Sequence, residues 1–256
     1  MFNPNTIFIG KYYQHLPNVD STNLYLQQYL AKNAPIEGFV VWADYQSAGR
    51  GQLGSYWKST AGLNLTTSFL LLPKWLAVKS QFLLSKAIAL SIIDLLYSYD
   101  IPLEKLHIKW PNDIYVDNQK IAGILIENTL KGAFIEHAIV GIGLNINQTD
   151  FYENGLHATS IYLATKQKIS IDKVLADLCV HLEQRYLQLK SKERLSIIND
   201  DYLKFLYRYQ ENALYQIIAT EEILSGKIIG ISAEGQLILN TYKGDLYFSI
   251  KELKFL

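Results

Sequence analysis

The stretch from Lys109 to Glu127, KWPNDIYVDNQKIAGILIE, does most to restrict what this chain can become. Leu106, Ile108, Ile114 and Val116 place apolar residues at strand spacing, Asp117-Asn118-Gln119 is turn chemistry, and Ile121 to Ile126 returns as an apolar run. The pattern predicts two short strands joined by a turn. Pro111 has no N–H for a ladder and holds Trp110 extended, so a break or bulge is expected at Trp110–Asn112. Such a break lets Asn112 and Asp113 point where a regular strand would not send them. Lys120 opens the return strand, and Gly123 is expected to leave a bare patch of backbone one face-repeat later. A lysine at the edge of an apolar strand is ordinarily a charge that blocks aggregation, so its surroundings must decide whether it does more.

Three other segments supply those surroundings. Phe39–Asp44 reads as a buried strand, and the loop from Gln46 to Trp57 follows it, with Gly49, Gly51 and Gly54 in close succession. Those glycines permit close backbone approach, and such a loop is expected to be mobile when empty and ordered by a ligand. Arg50 can grip an anionic oxygen or a carbonyl, and Trp57 can stack on a base. The plain alternative is a flexible surface turn with a snorkelling arginine. Asp20-Ser21-Thr22-Asn23 opens a helix carried by Leu24, Leu26, Tyr29 and Leu30 and ending near Asn33-Ala34-Pro35. Ser21 or Thr22 is at least an N-cap, and the free N–H groups and hydroxyls there can also serve a neutral polar ligand. In Val140–Asn147, Gly141 and Gly143 remove two side chains from one strand face, where a flat ligand can lie.

The remaining chain supplies scaffold. Residues 7–15 are read as a first strand, with a structural His15 near its end. Leu63–Leu72 is a core strand, Val78–Tyr99 a long packing helix, and Ala133–Asn147 a pair of half-strands. Thr149–Thr159 is polar and irregular, and helices are expected from about Ser170 and from about Glu193 to Tyr207. Beyond Asn212 come short alternating strands, Leu214–Ile218, Ile223–Ile231, Gly235–Leu239 and Leu246–Ile250, which predict a small SH3-like antiparallel barrel.

Charge and cysteine usage exclude several classes. With 24 basic and 24 acidic residues, the chain lacks the basic surface that a dedicated nucleic-acid binder needs. The single cysteine, Cys179, sits in an apolar helical setting, which excludes a disulfide framework and suits a reducing cytoplasm. The N-terminus is not patterned as a signal peptide, and no uninterrupted apolar run reaches the roughly 18 residues of a membrane span.

The Asp-Ser-Thr-Asn, Gly-Arg-Gly, Lys-Trp-Pro-Asn-Asp and Gly-Ile-Gly segments, in this order, resemble the catalytic domain of biotin protein ligases, over roughly residues 10–256. The resemblance implies an α+β fold: a mixed β-sheet with helices packed on it, of the class II synthetase-like kind, at 1–210, then an SH3-like domain at 211–256. It implies ATP-dependent formation of biotinyl-5'-AMP and transfer of biotin to a lysine of the biotin carboxyl carrier domain of a carboxylase. Ser21, Thr22, Asn23, Gln46, Gly49, Arg50, Gly51, Gln52, Lys120, Gly123, Gly141 and Gly143 would bind biotin. Arg50, Gln52, Trp57, Lys109, Asn112, Lys120 and Asn145 would hold ATP or the adenylate. Lys120 and Arg50 would serve catalysis, and Asp113 would orient or deprotonate the incoming lysine. Bringing a carboxylate to a phosphate requires cations, so Mg²⁺ is expected, with no ligands assigned.

Two departures from the family pattern stand out. Gln52 and Ser55 occupy positions where relatives often carry basic residues, which weakens the expected phosphate clamp. Only about twenty residues precede Asp20, too few for the DNA-binding domain of bifunctional members, so no DNA partner is expected. Family members often dimerise by edge-to-edge sheet extension, and a homodimer is compatible with this chain. Rival readings are a lipoate or octanoate ligase or transferase of the same fold, and a non-catalytic biotin-binding protein. Retention of Lys120, Arg50 and Asp113 argues against the last.

Overall fold

The computed structural model describes residues 2–151 and 157–256. The chain runs β1 (Tyr13–Val19), α1 (Thr22–Lys32), β2 (Val40–Gln46), β3 (Asn64–Leu71), α2 (Phe82–Ser98), β4 (Leu106–Lys109), β5 (Asp113–Val116), β6 (Gln119–Lys131) and β7 (Phe134–Asn145). It continues through α3 (Ile161–Thr165), α4 (Ile171–Lys190), α5 (Leu195–Phe205), β8 (Asn212–Ile217), β9 (Ile223–Ile231), β10 (Leu237–Thr241), β11 (Gly244–Phe248) and β12 (Leu253–Phe255). Strands β1 to β7 form one sheet in the order β1-β2-β3-β7-β6-β5-β4, and β8 to β12 a second in the order β11-β10-β9-β8-β12. The first sheet is mixed, since β1 lies parallel to β2 and the other neighbours are antiparallel. The second is antiparallel throughout, as an SH3-like domain requires.

Helix α2 is the centre of the core. Leu84, Ile88, Ile92 and Leu96 are buried against the sheet, α4 and α5. The segment Val78–Ser98 is long and apolar enough to cross a bilayer, but 67% of its most apolar window is buried inside the protein, as expected of a core helix. Its first turn, Val78–Ser80, is a separate 3-10 turn. Cys179 is fully buried, and burial pushes its thiol up, so it is a small core residue.

Several local readings need correction. The first strand begins at Tyr13, not residue 7, and runs through to Val19. Residues 7–9 are tied down by a carboxylate instead of a ladder: buried Glu183 of α4 accepts from the N–H groups of Ile7, Phe8 and Ile9 at 2.6, 2.8 and 3.0 Å. The half-strands of Ala133–Asn147 are one strand, β7, because it pairs with β6 on one side and β3 on the other. At Trp110–Asn112 the chain reverses fully, setting Lys109 opposite Asp113, so the central element has three strands. Trp110 then donates from Nε1 to Gly235 O, in the turn between β9 and β10, at 2.9 Å. The terminal strand β12 was not expected from its three residues. The irregular stretch Thr149–Thr159 lies partly outside the described residues.

The relation of Lys120 to Gly123 has a different cause from simple alternation. Three residues apart, they belong on opposite faces of a regular strand. The register shifts here: Tyr115 pairs with Lys120 and Ile114 with Ala122, leaving Ile121 as a bulge residue. The bulge returns Lys120 to the face of Gly123, and a Cβ on Gly123 would meet Lys120 Nζ at 3.4 Å.

Candidate active site

Helix α1 points its N-terminus at the face of the sheet that carries the glycines. Ser21 is the N-cap, its hydroxyl accepting from Leu24 N at 3.5 Å, so the cap reading holds whatever else the residue does. Thr22 presents both its N–H and its hydroxyl to Gln46 Oε1, at 2.8 and 3.0 Å. Buried Ser68 of β3 sits 2.7 Å from Thr22 Oγ1 and 2.6 Å from Asn23 Oδ1. Asn23 Nδ2 donates to Glu127 Oε2 at 2.8 Å, and Arg50 Nη2 donates to Glu127 Oε1 at 2.9 Å. A hydrogen-bonded chain thus runs from the start of the glycine-rich loop, across α1, back to that loop's arginine.

The bare strip on β7 is occupied by the protein itself. A Cβ on Gly141 would lie 2.4 Å from Asn23 Oδ1, and one on Gly143 would lie 2.2 Å from the Trp57 indole. The same indole covers Gly123, where a Cβ would lie 3.2 Å from it, and Lys120 Nζ is 5.6 Å from its ring centre. Trp57 therefore forms a wall of the site, and the glycines admit it. Gly49 works within the loop, where a Cβ would come 2.3 Å from Trp57 O. Trp57 Nε1 and Gln52 Oε1 are buried with no hydrogen-bond partner among the described residues, one donor and one acceptor, each at a cost of about 1–3 kcal/mol until satisfied.

Beside this wall, Lys120 Nζ lies 2.7 Å from Asp113 Oδ1, the two side chains 30% and 25% exposed. The reversal at Trp110–Asn112 positions Asp113, and Asn112 locks it by donating from Nδ2 to Ile124 O at 2.7 Å. The Lys109 ammonium sits over the rings of Tyr115, Phe255 and Tyr207 at 5.1, 5.2 and 5.9 Å. Burial lowers the Lys109 pKa, while Asp113 acts in the opposite direction.

These groups surround a cavity open to solvent. Ser21, Thr22, Asn23, Gln46, Arg50, Gly51, Gln52, Trp57, Asn112, Asp113, Lys120, Gly123, Gly141 and Gly143 line it. Gly49, Lys109 and Asn145 do not. Asn145 is buried and donates to Thr159 O at 3.0 Å, as part of the scaffold. Sequence reading missed Ser68, Thr67 and Glu127. A serine and a threonine in a buried strand carry little signal, but Glu127 at the end of an apolar run was a visible anomaly. His15 pairs with Asp44 at 2.8 Å and stacks on Trp42, outside the cavity.

The biotin/lipoate A/B protein ligase family model matches residues 16–145, the span that holds every segment of this cavity. The chain belongs to that family. The Escherichia coli bifunctional ligase/repressor BirA is 31% identical over 234 residues, covering 88% of this chain and 68% of BirA. The Mycobacterium tuberculosis biotin–[acetyl-CoA-carboxylase] ligase is 31% identical over 172 residues, 67% of this chain and 62% of that one. Among solved structures of the family, a biotin protein ligase from Aquifex aeolicus in complex with biotin and ATP superposes with a TM-score of 0.77 at 29% identity, covering 96% of this chain and all of that one. The expected α+β architecture is thereby established for both sheets.

Proposed function

We propose that this protein is an ATP-dependent biotin ligase that activates biotin as its adenylate and passes it to a lysine of a carboxylase's biotin carboxyl carrier domain in the cytoplasm. The observation that carries the reading is the cavity itself: the Lys120–Asp113 pair, the Arg50 loop and the polar N-terminus of α1 converge on one site. A biotin carboxylate oxygen attacks the α-phosphate of ATP and pyrophosphate leaves. Both reactants are anions, so Lys120 and Arg50 lower the barrier by neutralising charge in place. The carrier's lysine then attacks the acyl carbon, AMP departs, and Asp113 orients the amine or takes its proton. Loop 46–57 keeps water from the adenylate.

Among the described residues no group of three or more His, Cys, Asp or Glu could cage a metal. Mg²⁺ fits this site as the partner of the ATP triphosphate, as it commonly binds, with Asp113 as the carboxylate lining the cavity. Bound there, it would supply further positive charge at the phosphates.

The family name covers lipoate as well as biotin. The lining at α1 favours biotin: the hydroxyls of Ser21 and Thr22 and the amide of Asn23, now held by Leu24, Gln46, Glu127 and Ser68, can redirect donors and acceptors to a ureido ring, whereas an alkyl chain or dithiolane offers them no polar partner. Exchange of labelled pyrophosphate into ATP, with biotin, lipoate or octanoate as the acid, tests this. Exchange with biotin alone is expected; exchange with either other acid and none with biotin overturns the reading.

A further inference from the structure

The Ile121 bulge puts Gly123, Leu125 and Glu127 on one face of β6, with Lys120. Gly123, Leu125 and Lys120 line the cavity, and Glu127 stands just beyond it. Its two carboxylate oxygens serve different parts of the site. Oε2 accepts from Asn23 at the N-terminus of α1, and Oε1 accepts from Arg50 of the loop. Asn23 Oδ1 faces Ser68 Oγ at 2.6 Å, which fixes which end of its amide meets Glu127. Arg50 and Glu127 are 44% and 33% exposed, so their ion pair contributes little to overall stability. Its effect is one of orientation. Arg50 lines the cavity while this contact engages one of its nitrogens, and a guanidinium has further N–H groups to offer.

We infer that Glu127 is a positioning residue for adenylation, coupling recognition of the substrate's polar ring at α1 to closure of the loop that carries Arg50. The inference rests on the adenylating reading of the cavity and adds a residue that contacts neither reacting group. Coupling of this kind is reciprocal: a ring that orders Asn23 holds Glu127, which holds Arg50 for the phosphate, and the phosphate-bound loop favours the ring. Couplings through one contact network commonly amount to roughly 5–150-fold in affinity.

Glu127→Gln separates the two halves of the contact. Its amide oxygen can still accept from Asn23, while its NH₂ group cannot accept from Arg50. In ligand-free protein, tryptic cleavage after Arg50 should quicken by about tenfold, read by mass spectrometry. Biotin affinity by calorimetry should change by no more than about threefold, and the KM for ATP in pyrophosphate exchange should rise about tenfold with a smaller change in kcat. Glu127→Ala should weaken both biotin and ATP. Because the two residues act through one contact, Arg50→Ala and Glu127→Gln should be non-additive in ATP KM. Thermal melts of each variant identify any that fail to fold, and Glu127→Asp, which keeps the charge, then replaces them. Unchanged cleavage after Arg50, or additive effects in the double variant, overturns the inference. A wild-type protein without biotin-dependent exchange would instead refute the proposed function, and the proteolysis comparison, which needs no turnover, would still decide whether Glu127 holds the loop.

Discussion

A single methyl group at Gly143 tests the arrangement of the site severely. The added Cβ would sit 2.2 Å from Trp57 Cε2, and 2.6 and 2.7 Å from Cδ2 and Cζ2. Carbon atoms in contact settle at about 3.5–4.0 Å, so one partner must retreat by more than about 1 Å. The backbone of β7 cannot, because Gly143 is paired with Thr66 on one side and Gly123 on the other. The indole must move, taking the loop with it. Overpacking of this kind costs about 1–3 kcal/mol. Because the loop can open instead of straining the core, we expect global stability to fall by less than about 1 kcal/mol. The larger cost falls on the closed, ligand-binding form of the loop, giving roughly 5–150-fold weaker binding of biotin. The assay is biotin calorimetry on Gly143→Ala beside its tryptophan emission, with Trp57→Phe proteins used to isolate the Trp57 signal. Weakened binding and a red-shifted Trp57 are expected. Unchanged affinity with unchanged emission would refute the argument that Gly143 is bare in order to seat the indole.

Three further predictions follow from other parts of the molecule. Lys120→Ala should lose about two orders of magnitude in adenylate formation, roughly 3 kcal/mol of transition-state stabilisation, while near-normal pyrophosphate exchange would remove Lys120 from the chemistry. Gln52→Arg should slow release of pre-formed biotinyl-adenylate several-fold, because a charge-assisted contact exceeds a neutral one by about 1 kcal/mol; an equal dissociation rate would place retention in loop closure alone. Buried Lys86, held by Asn199 at 2.8 Å, has its pKa lowered from 10.5 to about 8 by desolvation. Below pH 8 both folded and unfolded chains are protonated and the penalty of roughly 3 kcal/mol is complete; between about 8 and 10.5 only the unfolded chain keeps the proton, so stability rises with pH. Lys86→Met should therefore stabilise the protein at pH 7, by a margin reduced by the lost Asn199 bond and shrinking toward pH 10.5. A variant less stable than the parent at pH 7 would contradict this.

What could be read from sequence depended on whether a residue's role was local. Ser21 at a helix start, Gly51 in loop 46–57 and the glycine alternation in β7 are short-range signals, and the structure gathers them around one cavity. Residues 7–9 deceived because a short apolar run there reads as a strand, yet only Ile9 is buried and the backbone N–H groups are met by Glu183, well over a hundred positions away in sequence. The bulge at Ile121 was invisible for a related reason: it depends on pairing with β5, which one strand's pattern does not encode. Asn145 and Lys109 have side chains suited to ligands, yet tertiary contacts direct one to Thr159 and the other among aromatic rings. Glu127 could have been noticed as a carboxylate at the end of an apolar strand, but its two partners lie in segments more than seventy residues earlier.

The central claim is that this cavity joins biotin to a protein lysine through an adenylate. The direct measurement is mass spectrometry of a biotin carboxyl carrier domain incubated with this protein, biotin and MgATP, with biotin-free, ATP-free and lipoate-supplied reactions alongside. The account predicts one biotinyl group on a single carrier lysine, formed only when both biotin and ATP are present, and lost with Lys120→Ala. An unmodified carrier in the complete reaction, or a carrier acylated equally well from lipoate, would contradict it.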